Sequence, residues 1–192
     1  AASFGTISRQ NPATARDLAY DNARVMAAEL KDLGINVDCT PCIDVPVDGS
    51  HDIIGDRAFA RDPWVVAQLG QSVIDGMLDG GVLPVVKHMP GHGRAKADSH
   101  LALPVVDIDR TELERTDFAP FRALAHAPLA MTAHIVFTDI DPTAPATSSK
   151  TVIDEVIRGT IGFDGALMTD DICMKALKGT FTDRVRASIA AG

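Results

Sequence analysis

The sequence predicts an α/β fold, a TIM-like (β/α)₈ barrel of which this chain carries about four central βα units. Three observations predict it. Short apolar runs alternate with amphipathic helical segments, and the runs are apolar throughout, as strands covered by helices on both faces of a parallel sheet must be. Each run then ends in a polar, reactive residue: Asp44, Lys87 with His88, His134, and Asp170 with Asp171. The first two observations suit a doubly wound sheet equally well. The third favours the barrel, whose active sites gather side chains from the C-terminal ends of many strands. From Asp44 to His88 to His134 to Asp170 the spacing is 44, 46 and 36 residues, so eight units need far more than 192 residues. The expectation is one partial barrel domain over residues 1–192, lacking strands at both ends.

The elements follow in order. Residues 13–33 carry Leu18, Val25, Met26, Leu30 and Leu33 near helical spacing, with Gly34 placed to stop the helix. A strand is expected over 35–45. Asp62-Pro63 is an N-cap followed by proline at the first helical position, and the helix runs through Val66, Leu69, Val73, Ile74 and Met77 to Gly80-Gly81. A strand over 82–86 comes next. Asp109 and Glu112, in capping-box spacing, open another helix; a strand over 129–136, a helix over 149–158 and a strand over 166–169 complete the alternation.

Composition narrows the function. An apolar share of 46% suits a globular core, and a formal charge of −8 argues against a nucleic-acid partner. No apolar run approaches the roughly 18 residues of a membrane span, and residues 1–10 show no signal-peptide pattern. Three cysteines do not pair off evenly, which suits a reducing compartment. Cys39-Thr40-Pro41-Cys42 lies in a strand-like run rather than at a helix start, so packing is favoured there over redox or zinc chemistry.

The richest segment is Lys87-His88-Met89-Pro90-Gly91-His92-Gly93, followed by Asp98-Ser99-His100. It leaves a strand end and passes through proline and two glycines, so its polar groups sit on a loop at the site. Asp98 and His100 are two apart and on an extended loop share one side; a carboxylate there orients the imidazole and raises its basicity, which makes His100 a candidate general acid/base, the other reading being a local turn hydrogen bond by Asp98 beside an incidental histidine. Residues 90–99 hold little apolar material and are expected to move. Asp170, at the rim, has the position of a glycosidase nucleophile, with Asp171 as its competitor and helix capping as the other use of either. Lys87, His88 and Arg57 are candidates to hold sugar hydroxyls. His134 is either a site wall or a satisfied core histidine, and His92 is expected to support the loop.

These segments resemble glycoside hydrolase family 3, within it the β-N-acetylglucosaminidases. The resemblance rests on Lys87 to Gly93, Asp98-Ser99-His100 and Thr169-Asp170-Asp171-Ile172-Cys173-Met174, with support from Ile54-Gly55-Asp56-Arg57, Leu103 to Asp107, Met131 to His134 and Gly162 to Gly165. It implies a barrel that cleaves terminal β-linked N-acetylglucosamine with retention, in the bacterial cytoplasm during muropeptide recycling, with no metal or other cofactor and a carbohydrate as its partner. It further implies Asp170 as nucleophile, His100 as acid/base, Asp98 as its dyad partner, and Arg57, Lys87 and His88 as sugar-binding positions; Met174, like His134, is a candidate site wall. On this pattern the chain carries strands three to six. Two departures stand out: Met89 occupies a position that is more often aromatic or branched, and the family's Asp-Gln-Glu-Gly-Gly-Arg segment is absent. Two rival readings are a zinc hydrolase using His88, His92, His100 and Asp170, and an inactive sugar-binding relative.

Overall fold

A computed structural model describes residues 1–96 and 102–192. The strands are β1 (Val37–Asp38), β2 (Leu83–Met89), β3 (Val105–Val106), β4 (Leu129–Thr132), β5 (Val136–Phe137) and β6 (Ala166–Thr169). The helices are α1 (Ala2–Ser8), α2 (Pro12–Asp32), α3 (Pro63–Asp79), α4 (Arg110–Arg115), α5 (Ala119–Ala123), a helix of wider π winding at Val152–Ile161, and α6 (Phe181–Ala191).

β1, β2, β4 and β6 form one parallel sheet in that order. Every crossover therefore steps to the next strand on the same side, as in a barrel, with none of the reversal that defines a doubly wound sheet. Strand order supplies the distinction that periodicity left open, and the architecture is TIM-like. β3 and β5 make a separate two-stranded parallel ladder; two residues of β3 are too few to show a period, and the sequence reading passed over them.

The expected strand over 35–45 is interrupted. Only Val37 and Asp38 pair regularly with β2, but Ile43 donates its amide to the Lys87 carbonyl and Lys87 donates to that of Pro41, at 2.8 and 3.1 Å. Pro41, with no N–H to give, breaks the ladder without ending the alignment. The expected strand over 129–136 divides after Thr132, and His134 falls in the gap. The helix expected over 149–158 starts later because Ser149 caps it, its hydroxyl accepting from the Val152 amide at 3.1 Å, and stops at Gly162, where φ is 77°.

α2 required the largest correction. Its buried stripe is Ala15, Ala19, Ala23 and Ala27, whereas Leu18, Val25 and Leu33 are 43, 59 and 78% exposed. The reason is close approach: a methyl group built on Gly76 of α3 would lie 2.3 Å from the Tyr20 carbonyl oxygen, and one on Gly80 2.3 Å from the Ala27 Cβ. Small residues at i, i+4 and i+8 let the two backbones touch, so proximity outranked hydrophobicity in choosing the face. α3 follows its expected cap, with Asp62 accepting from the amides of Trp64 and Val65 at 2.8 and 3.3 Å. No helix among the described residues is long and apolar enough to cross a membrane.

Candidate active site

The strand ends converge on a cavity of about 230 Å³. Arg57, Lys87, His88, His92, Asp170 and Met174 line it, with Cys39, Ile53, Ile54 and Met131 completing the wall. A larger groove, about 570 Å³, runs between α2 and α3 past Tyr20 and Trp64 but holds none of the strand-end groups. Chemistry, not volume, marks the site.

Local backbone geometry explains why two consecutive residues, Lys87 and His88, reach one cavity. Lys87 pairs with Met131 and Met89 with Thr132, so His88 is an extra residue bulged out of the ladder. A bulge breaks the in-out alternation and re-aims a side chain. The peptide bonds before His88 and Pro90 are cis.

His88 is held from below by Asp44, whose side chain is fully buried. One Asp44 carboxylate oxygen, Oδ2, lies 2.6 Å from His88 Nδ1 and accepts the Cys42 thiol at 3.2 Å. The other, Oδ1, accepts the backbone amides of His92 at 2.6 Å and His88 at 3.3 Å. Burial alone would raise the Asp44 pKa, but the attraction of His88 and the hydrogen bonds outweigh it and hold the carboxyl near about 2. Burial pushes the Cys42 thiol well up and the His92 imidazole down.

Asp170 follows β6, its side chain 16% exposed, with Oδ2 3.9 Å from His88 Nε2. Its Oδ1 accepts the Asp171 amide at 2.8 Å. Asp171 turns the other way, its Oδ1 accepting the Cys173 amide at 2.8 Å in the turn beyond the strand. The geometry thus separates the two neighbouring carboxylates: one borders the cavity and the other organises its rim.

His134 is fully buried and does not border the cavity. Its Nδ1 lies 2.7 Å from the Thr147 hydroxyl, its Nε2 3.1 Å from the Asp171 carbonyl, and burial pushes its pKa down. Of its two sequence readings the structure gives the satisfied core histidine, which steadies the rim through Asp171. Asp98 and His100 lie outside the described residues. The preceding loop is firmly seated: Ala95 is buried, Val47 and His51 donate to the carbonyls of Gly93 and Ala95, and Arg94 pairs with Asp117 at 2.7 Å and Glu112 at 3.1 Å. The weak anchoring expected from composition does not hold for residues 90–96, because ion pairs and backbone bonds replace apolar contacts.

The sequence pattern places Asp44 among the strand ends that gather at the site but assigns it no role there. A usable signal existed, since Asp44 precedes His88 by 44 residues, one repeat, which places the two side by side on adjacent strands. Cys42, Asp44 and His88 also bring three metal-binding atom types within 4.8 Å. These atoms are engaged with one another, the Cys42 thiol and the His88 ring both meeting Asp44 Oδ2.

The model of the glycosyl hydrolase family 3 N-terminal domain matches residues 4–192. A beta-hexosaminidase of Thiobacillus denitrificans is 41% identical over 194 residues, covering 99% of this chain and 54% of its own. The chain thus spans about half the length of the curated relatives it matches. Among solved structures, a family 3 beta-N-acetylglucosaminidase of a Paenibacillus strain superposes with a TM-score of 0.88 at 37% identity, over 92% of this chain and 35% of that one. NagZ of Neisseria gonorrhoeae, in complex with N-trifluoroacetyl-D-glucosamine, superposes with a TM-score of 0.90 at 36% identity, covering 98% of this chain and 55% of that one. Strand order, the gathering of Lys87, His88 and Asp170 at one rim, and a match to the N-terminal domain running almost from end to end together establish that this chain belongs to glycosyl hydrolase family 3.

Proposed function

We propose that the full-length protein is a retaining β-N-acetylglucosaminidase that releases terminal β-linked N-acetylglucosamine from muropeptides, in the bacterial cytoplasm, through a covalent glycosyl-enzyme. The observation that carries this reading is the Asp170 carboxylate bordering a small cavity beside His88, with Lys87 and Arg57 on the same wall. A carboxylate so placed attacks the anomeric carbon while the bond to the leaving oxygen breaks and His100 delivers a proton to that oxygen. Water then attacks the same carbon, giving its proton to His100 and freeing Asp170. Asp98 orients His100. Lys87, His88 and Arg57 hold the sugar's hydroxyl and acyl oxygens, and Met174 closes the apolar side. The N-acylated glucosamine bound by the Neisseria relative is of the proposed substrate class.

The test uses the full reading frame. A nitrophenyl N-acetyl-β-glucosaminide should release nitrophenol, and a slow fluorinated analogue should add one sugar mass to the peptide bearing Asp170. Binding of N-acetylglucosamine without nitrophenol release would support the inactive sugar-binding relative. Turnover abolished by a chelator and restored by zinc would support the metal-dependent reading.

A further inference from the structure

We infer that Asp44 is a positioning residue that fixes a proton on Nδ1 of His88 and so holds the ring with Nε2 at the sugar-facing end. The inference rests on the proposed function above for the identity of the ligand, but its chemistry is independent of turnover.

The argument begins with what surrounds the carboxylate. Both Asp44 oxygens are engaged, Oδ1 by the amides of His88 and His92 and Oδ2 by the Cys42 thiol and the His88 ring. The two amides are obligate donors, and an ionised carboxylate only accepts. A fully buried Asp44 with this many donors is held ionised, as its depressed pKa of about 2 agrees. The group 2.6 Å from Oδ2 must then be Nδ1–H. Once that proton is fixed, Nε2 is the ring nitrogen left to face the ligand.

Nε2 stands 3.9 Å from Asp170 Oδ2, too far for a direct hydrogen bond. One hydroxyl oxygen placed roughly 2.8 Å from each fits between them. A sugar hydroxyl in this gap faces Nε2 on one side and the acceptor Asp170 Oδ2 on the other, and the ring that presents Nε2 is held from beneath by Asp44. In Asp44→Asn the amide oxygen still accepts the two backbone N–H groups, while its NH₂ faces Nδ1 and displaces the proton there. The ring then loses the bond that fixes Nε2 towards the ligand.

Two measurements on the full-length protein test this. In a ¹⁵N-histidine-labelled sample, with His88→Ala identifying the signal, His88 should carry a proton on Nδ1 in the wild type and lose it from that nitrogen in Asp44→Asn. A wild-type ring with no proton on Nδ1 overturns the inference. Kinetically, Asp44→Asn should lower kcat/KM by roughly 10- to 100-fold, the cost usual for losing the partner that orients a histidine, mostly through a higher KM. In a His88→Ala background the same substitution should cost almost nothing further. An equal loss in both backgrounds marks a merely structural aspartate and overturns it. Should Asp44→Asn fail to fold, the wild-type spectrum alone decides. The expected tautomer in a protein that turns over no glycoside would sink the functional reading and leave this one standing.

Discussion

Asp44 and Asp170 are the same residue type near the ends of two strands of one sheet, yet their surroundings are opposite. Asp44 continues the line of β1 beside β2, and its two oxygens meet four donor groups in a fully buried position. Asp170 follows β6, which has β4 on one side and no second neighbour among the described strands; its side chain is part-exposed and one of its oxygens accepts a single amide. A carboxylate saturated by donors has no lone pair to give and serves as a fixed charge. One held by a single bond keeps a lone pair for attack and remains stationary enough to aim it. The difference lies in the packing around each strand end and not in the residue.

The comparison breaks most visibly if the two carboxylates are not different. Asp170→Asn should lower kcat by about 10⁴-fold or more in a protein that still folds, because the amide neither attacks nor balances positive charge. Asp171→Asn, which keeps an acceptor for the Cys173 amide, should stay within about tenfold of wild type. Steady-state rates of the two variants decide, and reversed losses would reassign the nucleophile. Next in size is His100→Ala, expected to cost about 10²- to 10⁴-fold on a natural disaccharide and far less on a dinitrophenyl glycoside, whose leaving group needs little protonation. Asp98→Asn should act in the same direction more weakly. Equal losses on both substrates would withdraw the acid/base role.

These residues also show what was legible in the sequence. Asp170, Lys87 and His88 stood out because polar groups at the ends of apolar runs break a local pattern, and Arg57 was a candidate from another loop. All four border the cavity. Asp44 stood at such an end too, but its effect is exerted through His88, and only strand adjacency reveals the pair. His134 was ambiguous in the same way until Thr147 and the Asp171 carbonyl supplied its partners. Local rules also found the caps at Asp62 and Asp109. They missed the break at Pro41 and the short β3, and failed at the face of α2, where the outcome depends on the close approach of α3.

A middle-sized effect sharpens the contrast by pH. Asp44→Ala leaves the His88 ring and two buried amides without their acceptor and should cost about 3 kcal/mol at pH 7. The native carboxyl, held near about 2 against an ordinary 3.8, contributes stability that is complete above pH 4 and disappears as the pH falls towards 2. Urea midpoints at pH 7, 4 and 3 should therefore decline steeply over the acid interval in wild type and less steeply in Asp44→Asn. Parallel declines would mean that other carboxylates dominate acid unfolding.

The smallest effects test the same principle, that packing and not residue type sets the role, on the helical layer. Ala23 and Val25 are two residues apart on α2, and a hydrophobicity scale ranks Val25 as the core residue. In the structure Ala23 is fully buried and Val25 is 59% exposed. A Cβ on Gly76 would come within 2.9 Å of the Ala23 methyl, so the space between the helices is already filled. Ala23→Leu adds three carbons there and must part α2 from α3 or bend a side chain off its rotamer, at roughly 1 to 3 kcal/mol. Val25→Ala removes two carbons that mostly face outward and recovers some helix propensity, so it should change stability by less than about 0.5 kcal/mol in either direction. Denaturant midpoints of the two full-length variants at unchanged slope make the comparison. A larger loss from Val25→Ala than from Ala23→Leu would mean that the aliphatic face of α2 is the one buried in the complete protein, and the alanine stripe would lose its place as the contact surface.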